Sequence, residues 1–299
     1  MIHLVYAIIY HSKINHILRS VNFLLRYLLP KSVRLNPSGK LYLRTSDGIK
    51  LTLHTNQTSH ITKELYWSGV ENYEYTSIFK ALIKNINTFI DVGASIGYYS
   101  VLAGKVNPTI KGYAFEPAKG SMIYLKKNIK HNQLSTHVRQ EFLALSNSTG
   151  QIEFYEVINP KYPNTHNLSG EHNMGTKKLK KASTYKISTS TLDLYCKEQN
   201  IGKVDLIKID TEGSENLILE GGAQTITAFK PIIICETLFN KIEPQLEVIM
   251  KAQGYEFYNH VGRLQLQKVD SIQRDYDNGI RNCFFVHPSK LNLIKEFIV

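Results

Sequence analysis

"TFIDVGASIGYYS", Thr88–Ser100, is the stretch on which the reading of this chain turns. An apolar run ends in Asp91, Gly93 and Gly97 follow, and a segment of helical composition comes next. Glycine has no Cβ, so Gly93 lets the backbone turn sharply and Gly97 lets a helix or a ligand come close. The pattern is that of a strand–turn–helix junction, the unit of nucleotide-binding α/β sheets. It departs from the dinucleotide fingerprint in two ways: Ser95 stands where the second glycine belongs, and a carboxylate precedes the turn.

On either side of this stretch the chain changes character. "KLYLRTSDGIKLTLHT" alternates Leu41, Leu43, Ile49, Leu51 and Leu53 about Asp47-Gly48, which predicts a half-buried hairpin. "YEYTSIFKALIKNI", Tyr73–Ile86, reads as a helix. From residue 87 short apolar strands alternate with helical segments, the signature of a parallel sheet covered on both faces. Strands are expected at Thr88–Val92, Lys111–Glu116, Val138–Leu145, Val204–Asp210 and Ile232–Glu236, with a closing pair near Glu256–His260 and Cys283–His287. Helices are expected at Tyr98–Val106, Lys119–His131, Thr191–Gln199, Glu215–Phe229 and Pro244–Gln253. The fold class is therefore α/β: a Rossmann-like sheet of seven mostly parallel strands, with an N-terminal helix and a small β extension. The division falls between residues 1–72 and 73–299. Gln151–Val157 and Ser183–Leu194 read as extended arms, and the long loop between them, Asn159–Lys181, suggests a lid.

Acidic residues recur at the predicted strand ends. Asp91 would repel a pyrophosphate but not a cationic, phosphate-free ligand, so the first turn suits S-adenosylmethionine better than NAD. Glu116 ends the second strand, where a carboxylate can accept hydrogen bonds from a ribose diol. "FLALSNSTG" places Leu145 and Ser146 at the third strand's end, beside the expected adenine. "VDLIKIDTEGSENLILEGG", Val204–Gly222, puts Lys208 and Asp210 on one strand face and then turns through Glu212 into a helix bearing Glu215. Buried lysine and carboxylates are costly unless they pair or do chemistry. A structural Lys208–Asp210 pair is the plain alternative to a site. Glu236 ends the next strand, at the same sheet edge.

Together these segments resemble the FkbM family of S-adenosylmethionine-dependent methyltransferases, from about Glu74 to Val286. The resemblance rests on "FIDVGASIGYYS", "AFEPAKGSMIYLKKNIKHN", "ALSNSTGQIEFY", "STSTLDLY", "LIKIDTEGSENLILEGG", "IICETL" and "RNCFFV". It implies a class I methyltransferase sheet with Asp91, Gly93, Ala94, Ser95 and Gly97 around the methionine and ribose, Glu116 on the ribose, and Leu145 and Ser146 near adenine. Ser95 replaces the family's usual asparagine. It further implies an acceptor hydroxyl on a small molecule or glycan; the basic balance and the amphipathic N-terminal segment make a lipid-linked or nucleotide-linked sugar attractive. For an in-line transfer to oxygen the candidate catalytic residues are Asp210, Glu212 and Glu236, with Lys208 orienting a carboxylate or lowering a hydroxyl pKa. No metal is predicted. The rival classes are an NAD oxidoreductase, a non-catalytic binding module and a nucleic-acid methyltransferase. The last is disfavoured because "IDTEG" would repel phosphate, so no nucleic-acid partner is expected.

The formal net charge of +11 suits acidic partners or surfaces, or equally a diffuse basic surface with no specific partner, since only Lys177–Lys181 is a dense run. Cys196, Cys235 and Cys283 are widely spaced and read as reduced, buried thiols of a cytoplasmic protein. Residues 1–31 repeat Leu4, Ile8, Ile14, Leu18, Val21, Leu25 and Leu28 at helical spacing among Lys13, Arg19, Arg26 and Lys31. Polar interruptions exclude a spanning helix, and a secretory signal is not expected. Two readings remain. The apolar stripe packs against its own domain or a second copy of the chain, which is the favoured one, or it lies on an anionic membrane surface.

Overall fold

The structure, a computed structural model, describes residues 2–169 and 182–299. In chain order its elements are α1 (Ile2–Ile9), α2 (Ser12–Leu24), β1 (Gly39–Arg44), β2 (Lys50–Thr55), α3 (His60–Ser68), α4 (Thr76–Ile83), β3 (Thr88–Val92), α5 (Tyr98–Val106), β4 (Lys111–Phe115), α6 (Lys119–His131), β5 (Val138–Glu141) and β6 (Ala144–Leu145). They continue with β7 (Gly150–Val157), β8 (Ala182–Ser190), α7 (Leu192–Glu198), β9 (Leu206–Ile209), α8 (Glu215–Gly221), α9 (Ala223–Phe229), β10 (Ile232–Glu236), α10 (Glu243–Ala252), β11 (Glu256–Gly262), β12 (Gln265–Val269) and β13 (Asn282–Val286).

Strands β3, β9 and β10 read as near-continuous apolar runs because both faces of the sheet are covered. Successive side chains point to opposite faces, so each strand feeds two cores. Phe89, Leu206, Ile232 and Ile234 pack with residues of α4, α5 and α6, such as Phe79, Leu102 and Leu125. Ile90, Ile207, Ile233 and Cys235 pack with Leu192 of α7, Ile218 of α8 and Leu246 and Met250 of α10. All three cysteines are buried and free.

The main sheet has eight strands in the order β12-β11-β13-β10-β9-β3-β4-β5. From β10 to β5 the neighbours are parallel; β13, β11 and β12 close the other edge antiparallel. The expected fold class holds, with one strand more than the seven predicted, because the closing pair gains β12. From β3 the chain goes outward through β4 and β5, then returns to lay β9 on the other side of β3. The crevice at the carboxyl ends of β3 and β9 is thus the topological switch point, the place where open α/β sheets bind ligands.

Three local expectations are corrected. The third strand, Val138–Leu145, is two: β5 stays in the main sheet, while β6 leaves it and pairs parallel with β8. The helix expected over Glu215–Phe229 breaks at Gly221-Gly222, where two glycines in succession remove helical support. The extended arms do exist, but β8 ends at Ser190 because Thr191 caps α7 with a side-chain hydrogen bond from the Leu194 N–H. The two arms pair antiparallel, from Gly150↔Thr189 to Val157↔Ala182. Of the suggested lid, residues 170–181 lie outside the described residues.

The N-terminal segment forms two helices, and the apolar stripe of α2 does not pack against its own domain, one arm of the favoured expectation. Its polar side chains face the domain. Asn15 accepts the Ser38 N–H (2.8 Å), Arg19 donates to the Ser38 (3.0 Å) and Lys40 carbonyls, and Asn22 accepts the Leu35 N–H (2.9 Å). Ile14, Leu18, Val21 and Leu25 are exposed. Among the described residues no helix is long and apolar enough to cross a membrane.

Candidate functional site

The turn after β3 is shaped by its neighbours. Gly93 (φ +72°) runs so close to the end of β9 that a Cβ there would stand 1.8 Å from the Asp210 carbonyl oxygen. Gly97 (φ +83°) opens α5, and a Cβ would stand 2.4 Å from Leu125 Cδ1 of α6. The two glycines therefore serve close approach between elements, and Gly97 serves a helix contact. Ser95 is also left-handed (φ +51°), although it carries a Cβ. Its N–H donates to Glu116 Oε2 (2.7 Å), and the Ala118 N–H donates to Oε1 (2.7 Å). Glu116 sits just past β4 and is buried. Burial pushes its carboxyl up to about 7, against the pull of those two N–H donors.

Lys208 is buried at the centre of the site. Its Nζ lies 3.3 Å from Asp210 Oδ2 and 3.5 Å from Asp91 Oδ1, and donates to the Gly93 carbonyl (3.4 Å). Burial alone would lower the lysine's pKa, but the charges of Asp210 and Asp91 outweigh it and hold the ammonium form. Asp91 is buried too. Its Oδ2 accepts the Ser100 hydroxyl (2.6 Å), and burial pushes its carboxyl upward while Lys208 opposes the shift. The turn after β9 is wound around Glu215. Its Oε1 accepts the N–H (2.9 Å) and hydroxyl (2.9 Å) of Thr211 and the Gly213 N–H (3.2 Å). That grip holds Glu212 in a left-handed conformation (φ +60°).

A cavity of about 370 Å³ opens at this edge, within the size range of small-molecule sites. Of the residues singled out in the sequence, Gly93, Ser95, Glu116, Leu145, Ser146, Asp210, Glu212 and Glu236 line it. Asp91 and Lys208 stand behind the lining as the buried pair described above, and Ala94 and Gly97 lie within the turn. Glu236 Oε2 is buried without a hydrogen-bond partner among the described residues. Burial, then the charges of Asp210, Glu212 and Glu215, push the Glu236 carboxyl up to about 10. Among the described residues no group of three or more His, Cys, Asp or Glu side chains is arranged to hold a metal ion.

Glu74 completes the acidic wall and was not singled out in the sequence. It lines the cavity in a left-handed conformation (φ +41°), and its Oε2 accepts the Tyr99 hydroxyl (2.9 Å). Burial and the Asp210 charge push it up to about 7. The helical reading of Tyr73–Ile86 hid it, since α4 begins only at Thr76. The one available signal was a carboxylate flanked by tyrosines. Leu168 and Ser169, which also line the cavity, belong to a loop tied down by the Leu168 N–H on the Thr58 hydroxyl (2.8 Å).

The sequence model of the family described as "Methyltransferase FkbM domain" matches residues 91–257. The chain is 26% identical over 197 residues to "Methyltransferase sdnD" of Sordaria araneosa, covering 57% of this chain and 74% of that one. It is 23% identical over 159 residues to "2-O-methyltransferase NoeI" of Sinorhizobium fredii (strain NBRC 101917 / NGR234), covering 51% of this chain and 64% of that one. Among solved structures, the methyltransferase FkbM of Methylobacillus flagellatus KT matches with a TM-score of 0.43 at 13% identity. That match covers 75% of this chain and 52% of the other.

Proposed function

The chain belongs to the FkbM methyltransferase family, and from that premise we propose that it transfers a methyl group from S-adenosylmethionine to a hydroxyl oxygen of a sugar, glycan or other small metabolite. One observation carries the choice of cofactor. In a chain of net charge +11, the cavity at the switch point is walled by Glu74, Glu116, Asp210, Glu212 and Glu236, with the buried Lys208 behind it. A pyrophosphate would meet repulsion there, whereas a sulfonium and an ammonium would meet attraction. The unpartnered Oε2 of Glu236 supports the same reading, because a buried polar atom without a protein partner is costly unless a ligand supplies one.

Bound there, the cofactor supplies an electrophilic methyl group. Each oxygen of Glu116 already accepts one backbone N–H and retains a lone pair for a ribose hydroxyl. Leu145 and Ser146 form the wall assigned to adenine. Asp91 and Lys208 act as positioning residues: they fix the Gly93 carbonyl and Asp210. Asp210 and Glu212 are the carboxylates assigned to take the acceptor's proton. Glu236, protonated at neutral pH, donates a hydrogen bond to ligand oxygen. Oxygen as the methylated atom draws support from the relative whose name specifies 2-O-methylation. A lipid-linked acceptor is the finer reading favoured by the exposed apolar N-terminal helices.

Calorimetry with S-adenosylhomocysteine and NAD, followed by labelled-methyl transfer to fractionated glycans, tests the proposal. Binding of S-adenosylhomocysteine and label in an alkali-stable ether are expected. Binding of NAD alone would sink the proposal. Asp210→Asn and Glu212→Gln should leave cofactor binding measurable, and the variant that removes the base should lower turnover by about 10² or more.

A further inference from the structure

Among the described residues, the outward side of α1, α2 and the turn after α2 carries exposed apolar side chains. Ile14, Ile17, Leu18, Val21, Leu24, Leu25 and Leu28 follow helical spacing, with Ile17 64%, Leu24 76% and Leu28 82% exposed; Val5 and Ile8 extend the face along α1. An ordinary surface helix turns such a stripe inward. Here the inward face is taken by Asn15, Arg19 and Asn22, whose hydrogen bonds to the Ser38, Lys40 and Leu35 backbones fix α2 in this rotation. Phe23 adds a ring contact to Trp67 at 5.7 Å and to Tyr66 at 5.3 Å. The exposed stripe is thus a consequence of a specific docking, and exposed apolar surface of this extent marks an interaction site.

Charge decides what covers it. Residues 1–46 contain no aspartate or glutamate but carry Lys13, Arg19, Arg26, Lys31, Arg34, Lys40 and Arg44. Arg19 is consumed by the docking, whereas Lys13 is exposed on α2 and Lys31 is exposed on the turn that follows Pro30. Two copies joined through this face about a two-fold axis would bring like charges together. An anionic lipid surface would neutralise them while accepting the apolar stripe. We propose that α1 and α2 seat the protein on the surface of an anionic bilayer. The helices lie in the interface plane, with Ile17, Leu24 and Leu28 toward the acyl chains and Lys13 and Lys31 at the headgroups. The seat is joined to the cavity wall. Tyr6 of α1 and Tyr10, just past its end, each pack edge-on against Tyr162 at 5.5 Å, and the segment after Tyr162 runs on to Leu168 and Ser169 of the cavity. This inference stands apart from the methyl-transfer proposal, since it uses no residue of the acidic wall.

The test is co-sedimentation of the full chain with vesicles of mixed phosphatidylglycerol and phosphatidylcholine, and with vesicles of phosphatidylcholine alone. Binding to the anionic vesicles is expected, weakening as salt rises. Ile17→Glu with Leu24→Glu should lower the bound fraction about tenfold. Lys13→Gln with Lys31→Gln should weaken binding and flatten its salt dependence. Both pairs alter exposed side chains, so unchanged thermal unfolding and unchanged S-adenosylhomocysteine affinity confirm an intact fold. Failure of the unaltered chain to bind anionic vesicles overturns the proposal. So does a concentration-dependent dimer that Ile17→Glu with Leu24→Glu disperses without any vesicle binding, which would make the face an interface between copies.

Discussion

At the scale of single residues, positions 93, 95 and 236 show how differently a rule of thumb is enforced. Gly93 has no alternative: besides its left-handed φ, a Cβ would overlap the Asp210 carbonyl at 1.8 Å. Gly93→Ala should therefore cost about 3 kcal/mol or more in chemical denaturation and abolish cofactor binding, because the overlap is with backbone. Ser95 occupies a similar φ (+51°) although it carries a Cβ. Ser95→Gly trades a strain of about 1 kcal/mol against added unfolded-state freedom, and should shift stability by less than that. Glu236 is enforced by charge. Its carboxyl is raised from the ordinary 4.5 to about 10, so the folded protein holds a proton that the unfolded chain has released. The stability this contributes is fully present below about pH 4.5 and is lost as pH rises toward 10. Glu236→Gln should therefore melt higher than the unaltered protein at pH 8–9, with the advantage gone near pH 4.5. If Glu236 is a hydrogen-bond donor, Glu236→Gln keeps most of the turnover at pH 7 and Glu236→Ala does not. A loss of about 10² or more in Glu236→Gln would make Glu236 the base instead.

At the scale of elements, what was legible had a local cause. Strands β3, β4 and β10 were read to within a residue, and β9 with an excess of two residues at its start and one at its end, because doubly covered strands are written as apolar runs closed by an acid. The turn of the β1–β2 hairpin was announced by Asp47-Gly48. The departure of β6 from the sheet was not legible, since its partner β8 is distant in sequence and an apolar run does not say which sheet it joins. Glu74 was missed for a related reason: periodicity marks a helix but not the residue at which it starts. Another long-range feature explains how the hairpin joins the main sheet. Asn128 of α6 and Asn132, the residue that caps the helix one turn later, face the free edge of β2. Asn128 accepts the His54 N–H (2.6 Å) and donates to the His54 (3.2 Å) and Ile96 (2.8 Å) carbonyls; Asn132 accepts the Thr52 N–H (3.1 Å) and donates to the Thr52 carbonyl (2.7 Å). The two amides stand in for a neighbouring strand, and through Ile96 the first of them reaches the turn at Ser95. Asn128→Ala strands three buried backbone groups and should cost about 2–4 kcal/mol by denaturant titration. It should also weaken cofactor binding, whereas the more peripheral Asn132→Ala should cost less and leave binding intact.

At the scale of the whole molecule, the fold class followed from the alternation of elements alone, whereas the direction in which α2 faces did not. Its hydrophobic periodicity was plain, but periodicity does not say which face docks. That was decided by Asn15, Arg19 and Asn22 finding backbone partners on the segment leading into β1 and on its first residues. Charge is distributed with the same lack of local warning: a chain of net +11 brings five carboxylates, from distant parts of the sequence, to the wall of one cavity. That segregation makes the site a proton store. Glu74 and Glu116 are raised to about 7, so at neutral pH the cavity holds protons on them that a bound cation would expel, whereas Glu236, raised to about 10, keeps the proton it donates. A ligand carrying positive charge favours the ionised forms, and its affinity should therefore rise between pH 6 and pH 9. The same groups destabilise the ligand-free protein over that range, since each raised carboxyl loses its contribution as pH climbs from about 4.5 through its folded value. Added S-adenosylmethionine should accordingly raise the melting temperature more at pH 8.5 than at pH 6. Calorimetry in two buffers of different ionisation enthalpy should register protons released on binding S-adenosylmethionine, and fewer on binding S-adenosylhomocysteine, which lacks the sulfonium charge. Affinity independent of pH, with no proton release for either ligand, would show that the acidic wall does not face the cofactor.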